Sequence, residues 1–281
     1  MTDLPFTSPL FHPGAAVRLP FLFDAAPLLA EASALSEVAW HMHFNTGYHD
    51  GGWSGVALLS PGGRADSLYL ARDGADVQTV APTHWAALCP KLMAGINAWP
   101  CTVQSARILR LAPGAVIREH RDDDLLWSHG VARIHVPLIT HERVEFYVDQ
   151  QRVVMTEGEC WYLDLSRPHR VQNCGLTERI HLVLDCAVND WLVTQVTLGL
   201  SAPEEPRAAL AESSASQFAR FREVVFADIQ LQEQMREPDS LDALFTRAVT
   251  AGAALGFEFS VEDVRAQCNQ SHRDWIEQWI M

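Results

Sequence analysis

Three residues that commonly bind transition metals occur at a spacing that suits a shared site: His120, Asp122 and His169. On an extended chain, residues i and i+2 share one face, so His120 and Asp122 point to the same side. A neighbouring strand can bring His169 back to that face. Two histidines and one carboxylate leave the opposite metal positions open, as non-haem iron(II) needs to bind a keto acid and dioxygen together. The alternative is a solvated turn, because the segment 118–124 is highly charged.

Two further segments share the order Arg, apolar, His, apolar: Arg133–Val136 and Arg179–Leu182. If both are strands, the arginine and the histidine of each lie on one face and the apolar residues on the other. A buried guanidinium is costly without an anionic partner, and a dicarboxylic co-substrate would supply that anion. The planar fork of Arg179 suits a carboxylate, so Arg179 is the predicted anchor.

The simpler alternative pairs these arginines with acidic side chains of the same sheet. Such partners are available at Glu145, Asp164 and Asp185. Of the two histidines, His135 is the predicted polar contact to the co-substrate, whereas His181 is either a similar contact or a core histidine with its hydrogen bonds satisfied.

The elements that must position these residues are short strands. Residues 105–190 alternate apolar and polar side chains between turn signals, and Val144–Val148, Asp149-Gln150 and Gln151–Met155 predict a β-hairpin around a tight turn. Further strands are predicted at Ala106–Leu111, Val131–Ile139, Glu159–Leu163 and Arg179–Cys186. Many short strands without intervening amphipathic helices favour an antiparallel sandwich or jelly roll. The predicted fold class is therefore mostly β.

Helical patterns flank this β-rich region. Phe23–Ser36 and His84–Ala98 are predicted to brace one outer face of the sheet. The segment 201–216 is rich in Pro, Ala, Ser and Glu, which predicts a linker between a domain at 1–200 and a small helical domain at 217–281. Three helices are predicted in that domain, at Phe218–Met235, Leu241–Leu255 and Val261–Ile280, with Ser260 as an N-cap.

Composition narrows the possible partners. The net charge is -14, from 35 acidic and 21 basic residues, which disfavours binding to nucleic acid or to an anionic membrane surface. No apolar run is long enough to span a membrane, and the N-terminus lacks a signal-peptide pattern, so a cytoplasmic location is predicted. The expected substrate is a small molecule or a peptide.

The motifs His120-x-Asp122, Arg133-Ile-His135, Pro168-His169 and Arg179-Ile-His181 occur in this order, and with them residues 40–190 resemble the aspartyl/asparaginyl β-hydroxylase family. The resemblance implies a double-stranded β-helix of the jelly-roll or cupin-like type. It also implies Fe(II) on His120 and His169, and 2-oxoglutarate on Arg179 with help from His135 and Arg133.

Two positions distinguish branches of this family. Asp122 follows the proline cis-4-hydroxylase-like branch, which keeps a carboxylate ligand, whereas the animal enzymes have glycine there. Leu109 stands where the animal enzymes have a small hydroxyl residue that helps to hold the co-substrate. Trp53, His49 and Asn45 are candidates to line a substrate pocket.

The activity that the resemblance implies is hydroxylation of a C–H bond of an amino acid, free or within a peptide or protein. Dioxygen and 2-oxoglutarate are consumed, and succinate and CO2 are released. The alternative is a cupin-like metal-binding or sensing module without oxidative turnover. Arg179 favours the oxygenase, because a bare metal module needs no dicarboxylate anchor.

The C-terminal segment resembles a second family. Phe221–Val225, Phe245 and Gly256-Phe-Glu-Phe259 are similar to the nitrogen-fixation-associated leader-peptide family. At the end of an enzyme, this resemblance implies docking of a peptide or protein, or oligomer contacts. The alternatives are that the segment packs against the β domain, or that it makes the chain mainly a peptide-binding scaffold.

Overall fold

The computed structural model describes residues 12–43, 46–49, 51–68, 79–123, 125–202, 214–238 and 240–270. The chain divides into two compact units, Met1–Ala208 and Ala209–Met281. Within the described ranges, every strand falls in the first unit and the second is helical. None of the helices seen in those ranges combines the length and the apolar character that crossing a bilayer requires.

The strands of the first unit form two antiparallel sheets. In chain order they are β1 Ala16–Leu22, β2 His41–Met42, β3 Trp53–Pro61, β4 Val80–Pro82, β5 Val103–Leu111, β6 Val116–His120, β7 Val131–Ile139, β8 Val144–Val148, β9 Gln151–Arg152, β10 Glu159–Leu163, β11 His169–Asn173 and β12 Arg179–Ala187. The larger sheet has the order β1-β10-β7-β12-β5-β3-β2, with β4 paired to β3, and the smaller has the order β6-β11-β8-β9. This arrangement confirms the predicted jelly roll.

Alternation along the strands separates two environments. In β12, Ile180, Leu182 and Leu184 pack in an apolar cluster under the helices, while the intervening side chains face the space between the sheets. The helices on that outer face are α1 Ala25–Ala34, α2 Pro90–Asn97 and α3 Asp190–Ser201. They brace one face of the larger sheet, as predicted for the first two.

The helix boundaries differ from the prediction: α1 is two residues shorter at each end than the predicted Phe23–Ser36, and the second predicted helix is divided. His84–Leu88 is a separate 3-10 turn, and α2 starts at Pro90, because proline has no N–H to continue a preceding helix but fits the first helical turn. The third helix was not predicted, although Asn189 signals its start: the Asn189 side chain accepts a hydrogen bond from the Leu192 N–H.

The predicted hairpin is confirmed by its turn. Asp149 and Gln150 have φ angles of 51° and 63°, the pair of left-handed residues that a type I′ turn requires between two strands. The second strand of the hairpin ends earlier than predicted, at Arg152. The turn fixes the register of β8, which pairs with β11 and so helps to hold His169 in place.

The second unit contains α4 Ser214–Ala227, α5 Ile229–Arg236, α6 Leu241–Ala254 and α7 Val261–Gln270. The single helix predicted for Phe218–Met235 is two helices, because Asp228 is an N-cap whose Oδ1 accepts from the N–H groups of Gln230 and Leu231. The unit has its own apolar core, built around Phe218, Phe221, Phe245 and Phe259.

The loop between α6 and α7 explains the glycine and the serine of the tail motif. Gly256 has a φ of 83°, and the Phe257 N–H donates to the Gly252 carbonyl, which is a Schellman turn. The predicted cap is confirmed: the Asp263 N–H donates to Ser260 Oγ, and the Ser260 N–H donates to Asp263 Oδ2. Residues 203–213 of the predicted linker and the end of the third predicted helix, with Trp275 and Trp279, lie outside the described residues.

Candidate active site

A cavity of about 370 Å³ opens between the two sheets. Its walls include all six residues that the sequence singled out as ligands or co-substrate contacts, namely His120, Asp122, Arg133, His135, His169 and Arg179. Five of the six lie on strands, which present them to the cavity because polar and apolar positions alternate, and Asp122 lies in the segment after β6. Residues far apart in the chain therefore meet in one site.

His120 and His169 face each other across neighbouring strands. They are directly paired in the β6–β11 ladder, and their ring centroids lie 4.1 Å apart. His120 Nδ1 is 2.7 Å from the Arg118 carbonyl oxygen, and His169 Nδ1 is 3.0 Å from that of Arg167. Because a carbonyl oxygen only accepts, each Nδ1 carries the proton and each Nε2 offers a lone pair, the arrangement that metal-binding histidines use.

The electrostatics of the pair also suit a metal. Burial, reinforced by the nearby His120, lowers the pKa of His169 to about 4. The His169 ring is therefore neutral at pH 7, as a ligand must be.

Asp122 completes the group from the segment that follows β6. Its Oδ1 lies 3.7 Å from His120 Nε2, and one ligand atom from each of Asp122, His120 and His169 lies within 4.8 Å of the others. The Asp122 N–H donates to the Leu165 carbonyl at 2.8 Å, which holds its backbone. Two histidines and one carboxylate are the donor set of non-haem iron(II) sites, so the residues present fit iron(II).

Arg179 is a buried cation in the cavity wall. Its side chain is among the largest in the core, only 2% of the residue is exposed, and no carboxylate of the described residues pairs with it. Its Nη2 donates to His181 Nδ1 at 2.8 Å, and the guanidinium carbon lies 5.8 Å from the centre of the Phe146 ring. Burial lowers the pKa of Arg179 to about 9, which leaves it charged at neutral pH. A buried cation of this kind favours an anionic ligand.

Arg179 and His135 are connected through one atom, His181 Nδ1. His181 Nδ1 must accept from Arg179, since a guanidinium only donates, and His135 Nδ1 lies 3.2 Å from the same atom. We assign the His135 proton to Nδ1 from this pattern, which leaves a lone pair on Nε2. His181 is thus a link between two cavity residues as well as a core histidine, a role that its sequence pattern did not distinguish.

Arg133 has a different environment from Arg179. Its Nη1 donates to Asp122 Oδ2 at 2.7 Å, and its Nε donates to Asp185 Oδ1 at 2.7 Å. Asp185 also accepts from Arg107 Nη1 at 2.7 Å. Burial opposes ionisation of Asp185, but Arg107 and Arg133 outweigh it and hold the pKa of Asp185 well below its usual range. Asp185 is one of the acids that the sequence offered as an arginine partner, whereas Arg107 was not predicted.

The rest of the cavity wall is aromatic and apolar. Tyr48 stacks on His120 at a centroid distance of 4.3 Å, and Trp53 lines the wall with the His43 ring stacked on it at 3.4 Å. Leu109 lines the wall with an apolar side chain. His49 is held away from the cavity wall by bonds to the His43 carbonyl and the Gly51 N–H, and Asn45 lies outside the described residues.

Solved structures to which the chain is similar include oxygenases and cupins. A 2OG-Fe(II) oxygenase family oxidoreductase from Burkholderia pseudomallei is 15% identical, with a TM-score of 0.43 over 62% of this chain and 85% of that chain. A viral collagen prolyl hydroxylase from Paramecium bursaria Chlorella virus-1, in complex with 2OG, is 11% identical, with a TM-score of 0.36 over 62% and 97%. A cupin domain from Bordetella pertussis is 20% identical, with a TM-score of 0.24 over 31% and 92%.

The family assignment rests on the sequence. The profile of the aspartyl/asparaginyl β-hydroxylase family matches residues 25–188, which is more than half of the chain and includes every strand from β2 to β12 together with the cavity. The chain belongs to the aspartyl/asparaginyl β-hydroxylase family.

Proposed function

We propose that His120, Asp122 and His169 hold the iron(II) of this hydroxylase and that Arg179 anchors its 2-oxoglutarate. Family membership makes the protein a dioxygenase that depends on iron(II), 2-oxoglutarate and dioxygen. When bound, these groups supply the oxidation of a C–H bond to an alcohol, with succinate and CO2 as the other products. The chain's own residues bind and orient the reactants and exclude water.

One observation carries this proposal: two histidines with a carboxylate, and a buried arginine that pairs with no carboxylate of the described residues, line the same cavity. A cupin-like sensing module would need the first group but not the second. Arg179 can donate two parallel hydrogen bonds to the distal carboxylate of a dicarboxylic acid. The metal ligands line the same cavity, and we assign the keto-acid end of the same molecule to them.

The other cavity residues have narrower proposed roles. His135 presents its Nε2 lone pair to a group that carries a proton. Arg133, the other arginine expected to help with 2-oxoglutarate, already donates to Asp122 and Asp185, so we assign it to the metal site instead. Tyr48 and Trp53 form the side of the cavity that we assign to the substrate, an amino acid or an amino-acid residue of a peptide or protein. The cytoplasmic location stays a prediction from the sequence.

Succinate release tests the function directly. Purified full-length protein is incubated with iron(II), ascorbate and 2-oxoglutarate, with and without a panel of free amino acids and short peptides. We expect succinate in every iron-containing sample, more of it with an accepted substrate, and none after removal of iron with a chelator. A metal-binding module without turnover would release no succinate above the chelated control in any sample.

The substitution Asp122→Gly tests whether the metal site needs the carboxylate as a ligand. We expect iron affinity and succinate release to fall by more than about 10-fold, because a ligand is lost and outer partners of metal ligands alone are worth 10- to 100-fold. Glu119→Gly, which removes an exposed carboxylate beside His120, is the matched control. If Asp122→Gly keeps the activity of this control, two histidines suffice and water takes the place of the carboxylate.

For the C-terminal segment we propose a separate helical domain at 217–281 that docks a peptide or protein partner. The observation that supports a separate domain is that the second unit has its own apolar core and its own caps. The docking role rests on the resemblance to the leader-peptide family. A chain truncated before residue 217 should convert 2-oxoglutarate without substrate at the rate of the full chain, yet hydroxylate its partner less well.

Limited proteolysis within 203–213, followed by size-exclusion chromatography, separates docking from structural packing. Clean separation of the two fragments, with an active β domain, agrees with the docking proposal. Co-elution of the fragments, together with loss of activity when the tail is deleted, would contradict it and show that the tail serves as a structural cover.

A further inference from the structure

Arg133 joins the metal site to a buried row of charges. The row runs Arg107, Asp185, Arg133, Asp122, so that cations and anions alternate and every neighbouring pair is in contact at 2.7 Å. We propose that Arg133 is a positioning residue that orients Asp122 toward the two histidines, and that Asp185 and Arg107 hold Arg133 in place. This inference rests on the proposed metal site and assigns to Arg133 a role other than co-substrate binding.

Asp122 needs such support more than the histidines do. It lies two residues beyond the end of β6, and its side chain is 29% exposed, against 4% for His120. The hydrogen bond from its backbone N–H to Leu165 fixes the main chain but not the carboxylate. Arg133 takes Oδ2, which turns Oδ1 toward His120 Nε2. The side-chain rotamer of Asp122 therefore depends on Arg133.

Arg133 is itself held more firmly than a surface cation. In the β7–β12 ladder it lies directly opposite Asp185, and it donates to both oxygens of that carboxylate, at 2.7 and 3.2 Å. Asp185 is fully buried and also accepts from Ser105 and Arg107. In such surroundings charges are weakly screened, and removing one partner of a buried pair is strongly unfavourable. Turning Arg133 toward a co-substrate carboxylate would break this bidentate pair.

The proposal predicts that loss of Arg133 changes the affinity for metal and not the affinity for 2-oxoglutarate. Conserved outer partners of metal ligands typically contribute 10- to 100-fold to metal affinity, by fixing the orientation of the ligand. Loss of Arg133 should therefore weaken the metal site by roughly this factor. Its effect on 2-oxoglutarate affinity, measured with saturating metal, should be small. If Arg133 were a co-substrate contact, its loss would lower the affinity for 2-oxoglutarate and leave the affinity for metal nearly unchanged.

A double-mutant cycle between Arg133 and Asp122 is the decisive experiment. The proteins are wild type, Arg133→Met, Asp122→Gly and the double variant, each titrated anaerobically with iron(II) and with cobalt(II). The cobalt spectrum reports the coordination of the metal. We expect Arg133→Met to lower metal affinity by about 10- to 100-fold in the wild-type background. In the Asp122→Gly background the same substitution should have no further effect, because its target is absent.

Arg107→Met is the matched control, since it takes the other arginine from Asp185 but leaves the Arg133–Asp122 contact in place. We expect it to lower metal affinity less than Arg133→Met does. Thermal unfolding of each variant checks that it is folded. If Arg133→Met does not fold, Arg133→Lys replaces it in the cycle: one ammonium cannot span both carboxylates, so the same coupling to Asp122 is expected in smaller measure.

Two outcomes would overturn the proposal. One is an equal loss of metal affinity from Arg133→Met with and without Asp122. The other is a large fall in 2-oxoglutarate affinity at unchanged metal affinity, which would make Arg133 a co-substrate contact. Failure of the proposed metal site itself looks different, because wild type would then bind neither metal tightly. Equal tight binding by wild type and Asp122→Gly would instead mean that Asp122 is not a ligand.

Discussion

His169→Ala should abolish tight iron(II) binding and, with it, succinate release, while the protein stays folded. His169 offers an Nε2 lone pair to the metal, and loss of a direct ligand should cost more than the ~100-fold that an outer partner can contribute. The fold should survive because the β11 backbone pairs with β6 on one side and with β8 on the other, whatever its side chain at this position. Iron titration, succinate release and thermal unfolding measure the three effects.

His120→Ala should reproduce this result, because His120 holds its proton on Nδ1 in the same way and faces the same point. His84→Ala is the matched control: it removes an exposed histidine that does not line the cavity, and iron binding should be unaltered. Unchanged iron binding in both the His120 and the His169 variants would refute the metal site and leave the cavity without an assigned metal.

Arg179→Ala should raise the concentration of 2-oxoglutarate needed for half-maximal turnover by about 10- to 100-fold, since a hydrogen bond to a charged group contributes roughly 1.5–3 kcal/mol. Iron affinity should change little, because Arg179 contacts His181 and the Phe146 ring rather than a metal ligand. The measurement is succinate release against 2-oxoglutarate concentration, beside an iron titration of the same protein.

Arg179→Lys is the conservative variant for this site. It keeps the charge but not the fork, so it should recover only part of the co-substrate affinity. A 2-oxoglutarate requirement that is the same in Arg179→Ala and in wild type would remove Arg179 as the anchor and leave Arg133 as the remaining arginine candidate. In that case Arg133→Met should lower the affinity for 2-oxoglutarate, so the result for Arg179 bears on the role of Arg133.

Much of the local structure could be predicted from local chemistry. Strands β7 and β10 have the predicted bounds, because the sequence of each segment itself shows the alternation of side chains. Asp149-Gln150 and Ser260 determine a turn and a cap through their own backbone and side-chain preferences. Errors arose where a single residue interrupts a helical pattern, as Pro90 and Asp228 do.

The two arginine strands show what the sequence could not determine. Arg133 and Arg179 occur in the same local pattern. The sequence predicted Arg179 as the anchor of the co-substrate and Arg133 as a helper, with pairing to an acid as the alternative for each. In the folded chain Arg133 lies opposite Asp185 across the β7–β12 ladder, whereas Arg179 lies opposite Leu111 across the β12–β5 ladder. One arginine is therefore bound to carboxylates and the other is left for a ligand.

Residue types and their spacing thus determined the strands, the turn, the caps and a set of candidate ligands for iron and 2-oxoglutarate. Only the tertiary structure decided which side chains meet: that His120 faces His169, that Arg133 holds Asp122, and that Arg107 belongs to the same buried row. The physical reason is that propensity and alternation act within a few residues of chain. Ion pairing depends on strand register, because register brings together residues that are dozens of positions apart in the chain. Register therefore determines which charged side chains become neighbours.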